Sequence, residues 1–139
     1  MRLSARNQIK GVITNIEEDA VAAIVTMDAE GTPIKASISR SAVDDLGLSV
    51  GMEAYAVIKA TSVLIATEVG KISARNRFAG TVEKIEKDAV ESFVTLKADI
   101  GVSIKATISD SAVEDLGLKV GDKAIAVVKA TDVMVGIDS

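Results

Sequence analysis

There is no cysteine and no histidine in this chain of 139 residues. The first absence removes disulfides and thiolate metal sites. The second removes the commonest transition-metal ligand and the usual general base. Tryptophan is missing too, and the only aromatic residues are Tyr55, Phe78 and Phe93. A single-strand nucleic-acid binder stacks bases on aromatic platforms, and three rings supply few of them. No run of about 18 apolar residues occurs, so no membrane-spanning helix is expected. The stretch Met1-Arg2-Leu3-Ser4 lacks the apolar core of a signal peptide, so cytoplasmic residence is the expectation. Basic residues are also in deficit: 16 Lys and Arg stand against 20 Asp and Glu, a net charge of −4. With a pI of about 4.9, the chain has no basic footprint for nucleic acid or a membrane surface.

What is present is aliphatic and repeated. Hydrophobic residues make up 48% of the chain, and the mean hydropathy is +0.34. That value in a charged chain points to apolar faces buried between subunits. Ser4-Ala5-Arg6-Asn7 returns as Ser73-Ala74-Arg75-Asn76, and Lys59-Ala60-Thr61 returns as Lys129-Ala130-Thr131. Ser4 to Thr26 aligns with Ser73 to Thr95, and Gly31 to Val63 aligns with Gly101 to Val133 one residue further on. The extra residue therefore falls between Leu96 and Gly101, where a hairpin loop can absorb it. The expected organisation is two copies of one fold, residues 1–67 and 72–139, joined by a linker at 68–71. Each unit has only about 65 residues, where one core is marginal. Stability must come from aliphatic packing, docking of the units, or oligomerisation.

Within a unit the period is mostly two. Gln8 to Ile16 reads as a strand, with Gly11 (Gly80 in the second copy) marking a bulge or tight bend. Ala20 to Met27 reads as a second strand, apolar enough to be covered on both faces. Asp28 to Gly31 is a hairpin turn, and Thr32 to Ser39 a third strand with Pro33 near its start. Ser41 to Gly47 reads as a short helix with Ser41 as N-cap and Gly47 at the C-terminal cap. Leu46 and Leu48 would plug the barrel. Ala54 to Ala60 and Val63 to Thr67 complete five strands. Three strands, a helix and two strands is the order of an OB-fold barrel. The expected class is all-β, with two tandem five-stranded OB-like barrels.

The repeated tetrad and triplet supply cations, hydroxyls and backbone N–H groups, but no nucleophile or base. Arg6 offers a planar fork suited to an oxyanion. Ser4 and Thr61 add hydroxyls, Lys59 a second cation, and the N–H groups of Ala60 and Thr61 are unpaired if the strand ends there. Such a set suits a tetrahedral dianion. Taken alone, each signal is more often an ordinary strand end with solvated charges; their joint return in both copies favours a site. Asp19-Ala20-Val21, repeated as Asp88-Ala89-Val90, places small residues where subunits could approach, or is simply a strand start. The adjacent carboxylates of Glu17, Glu18 and Asp19, and of Asp44 and Asp45, lack calcium-loop spacing. No phosphate loop, triad or metal-ligand cluster is evident. An enzyme is therefore not expected.

At Ser4 to Asn7, Asp19 to Val21, Ser41 to Val43, Leu46 to Leu48 and Val57 to Val63, with their second-copy partners, the chain resembles the molbindins. These are cytoplasmic molybdate- and tungstate-binding proteins built from Mop (TOBE-type) domains. The resemblance covers essentially the whole chain and implies OB-like barrels, a trimer, and storage of oxyanions at interfaces between domains of different subunits. It implies that Ser4, Ala5, Arg6 and Ser73, Ala74, Arg75 enclose molybdate with Lys59, Ala60, Thr61 and Lys129, Ala130, Thr131 of a neighbouring domain. Asn7 and Asn76 would support these contacts. The family's second kind of site, near the symmetry axis, would involve Ala20, Val21, Ala89 and Val90. Its usual Gly-Ala-Val-Asn-Ala segment is altered here: the asparagine is missing from both copies, and Glu91 would repel a dianion. No separate cofactor and no directly ligated metal cation are implied. The competing readings are an oligomerisation module without a ligand and, less favoured, a nucleic-acid-binding OB protein.

Overall fold

The first strand of each repeat is long because it serves two partners. The structure, a computed structural model, describes residues 1–5, 7–74 and 76–138. Strand β1 (Asn7–Glu18) is followed by β2 (Ala22–Ala29), β3 (Thr32–Ser39), helix α1 (Arg40–Leu46), β4 (Glu53–Ile58) and β5 (Leu64–Ala66). The early part of β1 pairs antiparallel with β4, from Asn7 opposite Ile58 to Val12 opposite Glu53. Its later part pairs with β2, from Val12 opposite Asp28 to Glu18 opposite Ala23, across a register shift between Ile13 and Asn15. Gly11 lies where the strand changes partner. A Cβ there would stand 2.8 Å from the Asp28 carbonyl oxygen, so the bend requires glycine.

The second repeat gives β6 (Asn76–Lys87), β7 (Glu91–Ala98), β8 (Ser103–Ser109), α2 (Asp110–Leu116), β9 (Lys123–Val128) and β10 (Met134–Gly136). The extra residue sits in the β7–β8 hairpin. In the β2–β3 hairpin, Glu30 and Gly31 both take positive φ, 50° and 87°, which matches the twist of a two-residue turn.

Two local expectations change. The helix is capped by Ser39, not Ser41: Ser39 is extended, and its Oγ accepts from the Ala42 N–H at 3.2 Å. Ser109 caps α2 in the same way. Strand β2 is not covered on both faces. Ala23, Val25, Met27 and Ala29 are buried, whereas Ile24 and Thr26 alternate with them and stay half-exposed. Gly47 closes α1 in the left-handed region as expected, and Leu48 is buried beyond it.

The architecture is two five-stranded curled sheets, and neither sheet is one repeat. Their strand orders are β10-β4-β1-β2-β3 and β5-β9-β6-β7-β8. The fifth strand of each repeat is thus exchanged: Met134 to Gly136 pair with Val57 to Tyr55, and Leu64 to Ala66 pair with Val127 to Ile125. Asp138 secures the end of β10, accepting a hydrogen bond from the Tyr55 hydroxyl (3.0 Å) and pairing with the Met1 ammonium (3.3 Å). The Tyr55 bond, then the ammonium, holds the Asp138 carboxyl below its ordinary range. One continuous apolar core joins both sheets, including Ile13, Met27 and Ile58 with Leu96, Ile104 and Val128.

Exchange makes each repeat incomplete alone. A fragment of residues 1–71 lacks the strand that covers β4, and its own β5 has no β9 to join. Two fragments can satisfy both needs by trading β5 strands. Such a fragment should therefore run as a dimer in size-exclusion chromatography with light scattering. A natively folded monomer would contradict this account of the fifth strand.

Candidate functional site

The last rung of the β1–β4 ladder decides the site. Because Asn7 lies opposite Ile58, the residues before β1 and after β4 leave the sheet side by side. Ser4 and Ala5 are on one side, Lys59 to Thr61 on the other. Lys59 is extended (φ −69°, ψ 140°), and Ala60–Ser62 form a single 3₁₀ turn. The Ser62 N–H donates to the Lys59 carbonyl at 2.9 Å and the Val63 N–H to the Ala60 carbonyl at 3.3 Å. A turn of this kind leaves its leading N–H groups, here Ala60 and Thr61, without acceptors inside it.

These segments line a cavity of about 430 Å³ with Leu3, Val57, Thr107 and Met134. The matching segments, Ser73 and Ala74 with Lys129 to Thr131, line a second cavity of about 260 Å³ with Ile24 and Ser37. Each cavity thus unites a Ser-Ala segment and a Lys-Ala-Thr segment of the same repeat. The other repeat supplies the facing wall. The antiparallel β1–β4 pairing, which ends with Asn7 opposite Ile58, is what sets the two segments of one repeat side by side. Neither set of lining residues contains a carboxylate. Arg6 and Arg75 lie outside the described residues.

Asn7 and Asn76 hold the facing walls. The Asn7 amide donates to the Lys105 carbonyl at 2.8 Å and accepts from the Lys105 N–H at 2.7 Å. Asn76 makes the same pair of bonds to Lys35, at 2.8 and 2.7 Å. Both asparagines are buried, 2% and 1% exposed. They therefore commit their amides to the protein, mimicking a peptide unit against β8 and β3, the edge strands of the two sheets. This gives the repeated asparagine a structural reason that spacing alone did not supply.

Sequence reasoning missed Ser37 and Thr107. They occupy matching positions of the two repeats, each carries a hydroxyl, and each faces the other repeat's Lys-Ala-Thr turn. That shared hydroxyl was the available signal. It was hidden because strands favour threonine and serine is unremarkable at a surface.

The second candidate region is built differently. Ala20 and Val21 border a cavity of about 440 Å³ with Arg40, Ser41 and Asp44. The Asp19 carboxylate already accepts from the N–H groups of Ala22 and Val21, both at 2.9 Å. Those bonds hold its carboxyl below the ordinary range and occupy donors that a bound dianion would need. In the second repeat, Asp88 accepts from the Ala89 N–H at 2.8 Å, and Asp110 stands where the first has Arg40. Val21 and Val90 are among the most exposed apolar residues, at 77% and 75%. A further cavity on the β6–β8 face, about 340 Å³, sets Glu83 and Glu86 against Lys84 and Lys105, with Lys84 paired to Glu86 at 3.1 Å. Among the described residues, no cluster of acidic or imidazole side chains could hold a metal ion, and no helix is long and apolar enough to cross a membrane.

The TOBE domain model matches twice, at residues 3–65 and 72–135. The chain is 39% identical over 140 residues to the molybdenum transport protein ModE of Herbaspirillum seropedicae, covering 99% of this chain and 52% of that protein. It thus spans about half the length of that relative. It is 49% identical over 69 residues to a probable molybdenum-pterin-binding protein of Haemophilus influenzae, covering 49% of this chain and all of that one (100%). Among solved structures it is similar to the cytoplasmic molybdate-binding protein ModG with molybdate bound. That match has a TM-score of 0.96 and 39% identity, and covers 99% of this chain and 100% of the other.

Proposed function

The chain belongs to the TOBE-domain family, as two tandem copies, and from that premise we propose that it binds molybdate reversibly as a cytoplasmic store. The observation that carries the reading is the pair of cavities without carboxylates among their described lining residues, each with a lysine, two hydroxyl-bearing residues of its own repeat and the leading end of a 3₁₀ turn. Fixed donors and a cation suit a tetrahedral dianion through charge-assisted hydrogen bonds. Arg6 and Arg75, adjoining the Ser-Ala segments, add the second positive charge of each site. With neither imidazole nor carboxylate in the lining, the site is suited to holding an anion rather than transforming it.

The net charge of −4 does not oppose this. Charges beyond about 8–10 Å are screened at physiological salt, whereas contact donors are not. Tungstate, of the same shape and charge, is the second ligand of the reading. Selectivity over sulfate rests on cavity size. The ligand-facing side chains Ser4, Lys59, Thr61, Ser73, Lys129 and Thr131 are all exposed in the single chain. That exposure leaves room for further copies of the chain to complete the sites, and the reading takes the assembly to be a homotrimer. Native mass spectrometry with molybdate, and with excess sulfate as competitor, tests the proposal. A trimer gaining a fixed number of molybdates that sulfate does not displace is the expected result. A protein that takes up none would leave the oligomerisation reading in its place.

A further inference from the structure

The missed hydroxyls carry a finer assignment, which rests on the oxyanion reading above. Strand β3 buries Ile34 and Ala36 at 1% and 0% exposure, so alternation turns Ser37 to the outer face. Strand β8 buries Ile104 and Ala106, each at 1%, and turns Thr107 outward in the same way. Ser37 pairs with Ile24, and Thr107 with Phe93. The buried asparagines fix each strand at Lys35 or Lys105, two residues upstream. One pleat separates clamp from hydroxyl, about 6–7 Å along a strand. The hydroxyl's height beside the opposite turn is therefore set by the clamp and not by a mobile loop.

We infer that Thr107 donates its hydroxyl to the anion held by Ser4 and Lys59, and that Ser37 does so for the anion held by Ser73 and Lys129. Each site then draws a ligand-contacting donor from the other repeat. Neither repeat completes its own site, even with its Ser-Ala-Arg and Lys-Ala-Thr segments intact. The two sites also differ chemically. One has threonine and the Met134 thioether in its wall; the other has serine and Ile24 in a smaller cavity.

The test uses the full chain and isothermal titration with molybdate, with circular dichroism to verify folding. Thr107→Val keeps the shape and removes the donor; it should weaken one class of sites by about tenfold or more and leave the other unchanged. Thr107→Ser keeps the donor, as the matching position Ser37 does, and should bind more tightly than Thr107→Val. Ser37→Ala should weaken the other class. If Thr107→Val and Ser37→Ala bind like the unaltered chain while Lys59→Ala does not, this inference fails and the oxyanion reading stands. If the unaltered chain binds no molybdate, both fail.

Discussion

Replacing Lys59 and Lys129 together by alanine should weaken molybdate binding about ten- to a hundredfold in each cavity, with little change in melting temperature. Each lysine is the one cation among the described residues lining its cavity. Hydrogen bonds to charged groups contribute about 1.5–3 kcal/mol each. Stability should hold because both side chains are exposed, and surface changes of this kind usually stay within about 0.5 kcal/mol. The 3₁₀ turn keeps its form because its bonds are made by the Lys59 and Ala60 carbonyls, which alanine retains. The single variants separate the sites: Lys59→Ala should affect one class of binding event and Lys129→Ala the other. Titration with a parallel thermal melt decides the matter. A natively melting double variant with unaltered affinity would remove the cavities from the anion's path.

The sequence revealed the repeat, the strand count and the short helix because each rests on local chemistry. Alternation marks the strands, and Gly47 marks a helix end. Capping was ambiguous because two serines precede the apolar turn. The structure chose Ser39, which is extended, while Ser41 already lies within the helix. The exchange of β5 and β10 could not be read at all. Leu64-Ile65-Ala66 and Met134-Val135-Gly136 are equally short and apolar, and in a duplicated chain either can satisfy either β4 or β9. Which one does is a question of where residues 67–75 carry the chain, and no local pattern encodes that. The candidate site was legible in its two repeated signals, and Arg6 and Arg75 stay with the sequence argument. The facing wall was not legible, because Asn7 to Lys105 and Asn76 to Lys35 are contacts between residues far apart in the chain.

The curl that brings those distant parts together depends on two glycines, and Gly80→Ala should be far the more damaging change. Gly80 is paired on both sides, opposite Ala98 and opposite Ala124. A Cβ there would fall inside contact distance of the Lys97 carbonyl oxygen and 2.8 Å from Ala98 Cα, both backbone atoms. Backbone cannot yield by a rotamer change, so the β6–β7 crossing must open. Overpacking of this kind costs about 1–3 kcal/mol and more where the clash is with main chain. We expect about 3 kcal/mol, or about 10 °C in melting temperature for a chain of this size. Gly11→Ala, where the nearest atom is the Asp28 carbonyl oxygen at 2.8 Å, should cost less. Gly70→Ala meets nothing within 4 Å and needs no positive φ, so it should be neutral and serves as the control. Strand β6 also begins at Asn76, so a displaced crossing should loosen the Asn76 clamp and weaken the Ser73 and Lys129 site before the fold is lost. Equal melting of Gly80→Ala and Gly70→Ala would mean that the strands do not approach this closely, and the clamp and the cavity built on that approach would have to be drawn again.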